Sequence, residues 1–288
     1  MPRTSYLPNR FERKYVVPES TADEIRALIR PHVRPDEFLT PDRPVGYPVY
    51  SLYLDSPRLG LYTATASGEK NRFKLRIRFY DESGDGPIFA EIKRRVDSVI
   101  MKQRAGVRRE RLGDLLRGVV PPRHELLNAT SEFAEVDEFC LLTRALAAVP
   151  TLIVGYDREA YLDTRTGTCR VTFDRNLRAR PFDPARGLTT DLPAARHQDP
   201  GVILEMKYVD RLPQWMQAVI LRFGLQRQSV PKYGWSVESL GEVVVRRYAL
   251  AGIAGGGDRP APGGIVVTSP LSGWKRGGPF RRAGGAVS

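Results

Sequence analysis

The sequence predicts an α+β fold, an eight-stranded antiparallel β-barrel (a tunnel) with helices packed outside. Three observations carry that expectation. Eight short runs rich in Val, Ile, Tyr and Phe alternate apolar with polar residues and are bounded by Gly, Pro, Asp and Ser. Several links between runs are short enough for hairpins. Three or four other stretches space their apolar residues as amphipathic helices do.

The strand-like runs cover residues 11–17, 49–55, 72–80, 88–96, 99–107, 152–162, 169–175 and 202–209. Residues 83–86, 97–98 and 164–167 supply the hairpin links. Among the helices, Ser20 is positioned to cap a segment carrying Ala22, Ile25, Leu28 and Ile29, stopped by Pro31. Residues 132–149 hold Phe133, Val136, Phe139, Cys140, Leu142, Leu146 and Val149 at near-helical spacing. Pro213 opens a third helix with Met216, Val219, Ile220 and Phe223, closed by Gly224, and a fourth runs from Ser236 towards Leu250. Residues 252–288 change character to Gly, Pro and Arg. They are expected to form a disordered basic tail behind a folded domain of residues 1–251.

Charge narrows the function classes. Lys and Arg number 45 against 33 Asp and Glu, a formal net charge of +12. The tail holds Arg259, Lys275, Arg276, Arg281 and Arg282 against Asp258, so +8 belongs to the folded body. An anionic partner follows: nucleic acid, acidic lipid or a phosphate-rich small molecule. Two cysteines exclude a disulfide scaffold, and three histidines leave little for a His-rich metal centre. The first 13 residues lack a signal-peptide core and residues 145–156 are too short to span a membrane. A cytoplasmic location is therefore expected, with no transmembrane segment and a peripheral membrane-protein partner left open.

Side chains two apart on a strand share a face. Arg10, Glu12 and Lys14 align by that rule, as do Lys74, Arg76 and Arg78, opposed by Leu75, Ile77 and Phe79. Glu91, Lys93 and Arg95 align; so do Lys102 with Arg104, Arg170 with Thr172 and Asp174, and Glu205 with Lys207. One such strand is a solvated sheet face. Six together, in a closing sheet, line an interior with more cations than anions. Unpaired charges there are costly unless a polyanion fills the bore. Guanidinium matches phosphate oxygens bidentately, so a triphosphate or a longer phosphate chain fits best. By contrast, Arg94, Arg95, Arg108, Arg109 and Arg111 read as a solvated face or loop, and Trp215 and Trp235 as packing.

The residues then resemble a known family. Arg-Phe-Glu-Arg-Lys-Tyr (10–15), Ser-Leu-Tyr-Leu-Asp (51–55), Lys-Leu-Arg-Ile-Arg-Phe-Tyr (74–80) and Phe-Ala-Glu-Ile-Lys-Arg (89–94) are similar to motifs of the VTC-domain polyphosphate polymerases, in the triphosphate tunnel metalloenzyme superfamily. Met-Lys-Gln-Arg (101–104), Tyr-Asp-Arg-Glu-Ala-Tyr (156–161), Arg-Val-Thr-Phe-Asp (170–174), Leu-Glu-Met-Lys-Tyr (204–208) and Pro-Lys-Tyr (231–233) continue the match in order. The resemblance implies the CYTH/triphosphate tunnel fold and transfer of the ATP γ-phosphate onto a polyphosphate chain, with Mn²⁺ or Mg²⁺. By position it makes Lys14, Arg76, Arg78, Lys93, Lys102, Arg158, Arg170 and Lys232 the phosphate-binding cations. Tyr156, Lys74 and Lys207 are added as substrate-binding residues. Glu205 matches the metal-binding glutamate, with Glu12, Glu91 and Asp174 as further metal or supporting carboxylates.

Two departures stand out. Related tunnel hydrolases carry Glu-x-Glu-x-Lys on the first strand, where this chain has Arg10-x-Glu12-x-Lys14. The family's Pro-Lys-aromatic-Ser-Lys ending reads Pro231-Lys232-Tyr233-Gly234-Trp235-Ser236. The first departure favours phosphoryl transfer to a phosphate chain over a tunnel-type inorganic or nucleoside triphosphatase, because hydrolysis must orient a water. A non-catalytic polyphosphate- or nucleic-acid-binding module is the third reading. Nucleic acid is disfavoured, because the basic residues alternate on strands and no zinc-finger, helix-turn-helix or RRM signature is present.

Overall fold

A computed structural model describes residues 10–40, 46–82, 85–97, 99–193 and 201–247. The expected tail, residues 252–288, lies outside the described residues. Nine strands form the sheet: β1 (Arg10–Val17), β2 (Val33–Pro35), β3 (Tyr47–Asp55), β4 (Arg72–Phe79), β5 (Ile88–Val96), β6 (Val99–Val107), β7 (Val149–Asp163), β8 (Arg170–Pro181) and β9 (Val202–Val209). Helices are α1 (Glu19–Ile29), α2 (Gly60–Ala66), α3 (Leu112–Arg117), α4 (Ala129–Ala145), α5 (Gln214–Arg222) and α6 (Lys232–Leu240). Eight strands follow one antiparallel path, β1-β9-β8-β7-β3-β4-β5-β6, and β2 adds to β7 at its side. This is the expected eight-stranded antiparallel architecture, curled into a half-barrel with helices on its outer side.

Alternation decides which face goes where. The outward residues of β4, β5 and β6 (Leu75, Ile77, Phe79, Ala90, Ile92, Ala105 and Val107) are buried under Leu115, Val136, Phe139 and Cys140 of α3 and α4. On the other flank Tyr15, Val17, Val171, Phe173, Leu204 and Met206 pack against Ala22, Ile25 and Ile29 of α1 and Met216 and Val219 of α5. Each fully buried aliphatic or aromatic side chain stabilises by about 1.5–3 kcal/mol. These two layers therefore commit the opposite, charged face to the concave side.

Closure differs from a complete barrel. Edge strands β1 and β6 approach each other, yet no backbone ladder joins them among the described residues. The chain between α5 and α6 lies along the free edge of β1 instead, where Gln228 N donates to Lys14 O at 2.9 Å. That bond satisfies an edge carbonyl that a sixth-strand partner would otherwise take.

Helix α6 takes another position. Tyr233, Val237 and the following Val245 pack with Tyr47, Val49, Tyr53, Leu152, Val154 and Tyr156. Tyr53 and Tyr233 stack with ring centroids 4.6 Å apart. Tyr53 stands opposite Arg76 in the β3–β4 register, so α6 sits on the concave face rather than outside it. The Tyr233 hydroxyl donates to buried Asp55 Oδ2 at 2.8 Å. Asp55 also accepts from the N–H groups of Leu61 and Tyr62 at 2.8 and 2.9 Å, which joins α2 and α6 through one carboxylate.

Several local expectations change. Helix α1 begins at Glu19 after Pro18, so Ser20 lies inside its first turn and caps nothing. Helix α4 ends at Ala145 because Ala147 turns left-handed (φ 45°), and Val149 and Pro150 open β7. Helix α6 starts four residues before Ser236, at Lys232, and stops at Gly241 (φ 84°); helical backbone resumes over residues 242–247. Among the described residues, no helix is long and apolar enough to cross a membrane.

Candidate functional site

The curl brings the charged strand faces together, and the ion pairs sort into three groups. In the first, Lys14 Nζ lies 3.1 Å from Glu12 Oε1 and 3.1 Å from Glu205 Oε1. Lys232, delivered by α6, lies 2.7 Å from Asp174 Oδ2 and 3.1 Å from Glu205 Oε1. Arg158 clasps Asp174 with Nε and Nη2, both at 2.7 Å, and Lys207 reaches Glu205 Oε2 at 3.0 Å. The second group surrounds fully buried Glu91: Arg76 at 2.6 Å, Lys102 at 2.7 Å, Arg104 at 3.7 Å and Arg78 at 3.9 Å. Arg76 also donates to Tyr53 and Arg78 to Tyr156, each at 3.3 Å. In the third, Lys93 crosses from β5 to Glu12 Oε2 at 3.1 Å, beside Lys74.

Electrostatics fix the protonation states. Burial opposes ionisation of Glu205, but Lys14, Lys207, Lys232 and Arg158 outweigh it and hold the group well below the usual carboxylate range. Glu12, Glu91 and Asp174 are lowered likewise, against burial, by the cations that face them. All four carboxylates are therefore ionised at neutral pH. Ten basic side chains share the space: Lys14, Lys74, Arg76, Arg78, Lys93, Lys102, Arg104, Arg158, Lys207 and Lys232. The excess is felt at Lys74, which makes no ion pair among the described residues. Burial first, then repulsion from Lys14, Lys93, Arg76 and Arg72, push its ammonium down to about 7. Burial also lowers Lys93 to about 8, although Glu12 supports its charge. Tyr156 moves below its ordinary value, because Arg158, Arg78 and Lys232 overcome the effect of burial.

Four buried side-chain atoms on this face make no hydrogen bond among the described residues: Glu12 Oε1, Arg78 Nε, Glu91 Oε1 and Thr172 Oγ1. A buried donor without an acceptor is costly, and a phosphate oxygen is the kind of acceptor Arg78 lacks. For a divalent cation, Glu12 and Glu205 offer hard oxygens on either side of Lys14. No group of three His, Cys, Asp or Glu among the described residues converges to hold a metal by itself. The set fits a Mg²⁺ or Mn²⁺ that shares phosphate oxygens, since such ions commonly use one or two carboxylates plus substrate. It does not fit a cage built from protein alone.

The structure brings fourteen of the sequence-derived site residues into the three groups. The fifteenth, Arg170, lies on the same face opposite Lys207 but is held apart, 2.6 Å from Asp36 Oδ2 and 3.1 Å from Tyr47 Oη. Sequence reasoning missed Tyr53, although it lies two residues from Ser51 on an alternating strand and that spacing places it inward. It also missed Arg72 and Arg227, and it read Arg95 as solvated. All three line a cavity of about 310 Å³ next to Lys14, Lys74 and Lys93. Arg109, also read as solvated, instead donates to the backbone oxygens of Asp81 and Gly86.

The family described as VTC domain matches residues 9–241. No curated protein matches the chain. Among solved structures, a Bacillus halodurans protein described as a candidate adenylate cyclase aligns with TM-score 0.44 and 10% identity, over 77% of this chain and 94% of that one. A Pyrococcus horikoshii protein aligns with TM-score 0.38 and 12% identity, over 79% of this chain and 97% of that one.

Proposed function

The chain belongs to the VTC domain family, and from that premise we propose that it is a polyphosphate polymerase that transfers the γ-phosphate of ATP onto a polyphosphate chain within the curled sheet. The observation that carries this reading is the concave face itself, where, among the described residues, ten cations surround four ionised carboxylates and one lysine has no anionic partner. A linear polyanion supplies the missing negative charge, and its oxygens suit the guanidinium groups of Arg76, Arg78 and Arg158.

Phosphoryl transfer requires mainly positioning and stabilisation of the oxygens around the transferred phosphorus. Arg76, Arg78 and Lys93 would hold the phosphates in line, with Arg158 and Lys232 on the opposite wall. A terminal oxygen of the acceptor chain attacks the γ-phosphorus; the bond to the β-phosphate oxygen breaks and ADP leaves. That attacking oxygen is already anionic, so no strong general base is needed, and no histidine is assigned to the three groups. Mg²⁺ or Mn²⁺ held by Glu205 and Glu12 together with the phosphates would supply Lewis-acid charge neutralisation.

Incubating the purified protein with ATP and Mn²⁺ and resolving products on a gel tests the reading. Long polyphosphate with ADP is expected. Release of orthophosphate alone would instead mark a triphosphatase, and no turnover with retained polyphosphate binding would mark a binding module.

A further inference from the structure

The 310 Å³ cavity extends away from Glu12, Lys14 and Lys93 towards the segment before α6. Its outer wall is built of Arg72, Lys74, Arg95 and Arg227. In the β4–β5 register Arg72 stands opposite Arg95 and Lys74 opposite Lys93, two like-charge rungs on one face. Like charges directly opposite destabilise a sheet. None of these four outer side chains makes an ion pair among the described residues. Arg72 donates to the backbone oxygen of Glu69, and Arg95 to that of Asp97 at 2.8 Å. The guanidinium of Arg72 is lowered by its burial and by Arg95. Among the described residues, Glu12 is the one carboxylate of the lining.

We propose that this cavity is a second anion subsite, which takes the distal phosphates of a linear polyphosphate and makes affinity depend on chain length. The inference rests on the polyphosphate reading above and extends it to Arg72, Arg95 and Arg227, which lie outside the three ion-pair groups. Repeated charge along a strand face matches repeated charge along an unbranched phosphate chain. Nucleic acid fits less well, because single-strand recognition uses aromatic platforms, and Phe73 is the lone aromatic residue of the lining among the described residues.

The test compares tripolyphosphate with long-chain polyphosphate by calorimetric titration of the full chain without metal. The variant R72Q/R95Q/R227Q is expected to lose about tenfold or more in affinity for the long chain, through its lost phosphate contacts. It should keep tripolyphosphate affinity within about twofold. R72K/R95K/R227K, which keeps the charges, should restore most long-chain binding and guards against misfolding. Equal losses for both ligands, or none for either, overturn the subsite. So does a single-stranded oligonucleotide that competes as well as polyphosphate of equal charge. A wild-type protein that binds tripolyphosphate but gains nothing from longer chains overturns the subsite alone; one that binds neither overturns the polymerase reading as well.

Discussion

Lys93 and Glu12 meet at 3.1 Å across the junction of the curl that has no backbone ladder among the described residues. The glutamate belongs to β1, at one end of the hydrogen-bonded path, and the lysine to β5, next to β6 at the other end. A side-chain pair therefore does at the seam what main-chain bonds do elsewhere. Phosphate bound by Lys93 would compete with Glu12 for the same ammonium, which links occupancy of the interior to the grip between the edges.

Removing phosphate-facing cations should reduce affinity directly. Lys93→Ala and Arg76→Ala are each expected to weaken nucleotide binding roughly 10- to 100-fold, the range for a lost hydrogen bond to a charged group. Titration with ATP and steady-state kinetics check this. Near-normal constants in both variants would remove the concave face as the binding site.

Glu205→Gln has opposite effects on stability and on metal-free binding. The free protein should melt earlier, because Lys14, Lys207, Lys232 and Arg158 lose a shared anion; breaking such buried pairs costs on the order of 3–5 kcal/mol. Tripolyphosphate binding without metal should hold or tighten, since the ligand meets less negative charge. Stimulation by Mn²⁺ should disappear. Thermal melts and paired titrations with and without Mn²⁺ read all three effects.

Lys74 predicts a pH signature. Its folded value of about 7 lies below the ordinary lysine value of 10.5, so between those limits the unfolded chain binds more protons and stability from this group rises with pH. Below pH 7 the buried charge exerts its full destabilising effect. Lys74→Met should therefore raise the melting temperature most near pH 6, with the gain fading towards pH 10. Polyphosphate restores the charge on Lys74, so binding near pH 8 should take up protons, measured by calorimetry in buffers of different ionisation enthalpy. A pH-independent stability difference and no proton uptake would contradict this placement.

Tyr233→Phe tests how α6 is seated. Losing the donor to Asp55 leaves a buried carboxylate short of one partner, with an expected cost of about 1–3 kcal/mol. Denaturant unfolding should show that loss, and phosphate affinity should fall less than in Lys232→Ala, because the ammonium itself remains. A Tyr233→Phe protein as stable as wild type would show that the hydroxyl contributes nothing to anchoring the helix.

Strand identity and interior charge were legible because a strand has only two faces. Leu75, Ile77 and Phe79 commit one face of β4 to the core, and that fixes the direction of Arg76 and Arg78. The role of Lys232 rested on family resemblance, since a lone Pro-Lys in a helical stretch says nothing about an interior. The concave location of α6 was not legible, because Tyr233 and Val237 look like any buried stripe. Arg227 stands in a segment with no period to orient it. The open seam depends on how far the strands tilt and curl, which the alternation pattern does not encode. Helix α2 was passed over because Gly60 and two threonines favour no helix; Asp55, from the preceding strand, supplies its missing cap.

The pairing of β1 with β9 bears on how the protein is made. Glu12 and Lys14 leave the ribosome well before their strand partner, which arrives about 190 residues later, when Lys207 and Glu205 are synthesised. Lys232 comes later still. Contacts so distant in sequence form slowly, since loop closure precedes any gain from them. Until then Lys14 and Arg158 stand without Glu205, the anion they share in the finished fold. Completion of the sheet and assembly of the phosphate-binding interior are thus one late event, and a nascent chain stopped before residue 202 would have neither.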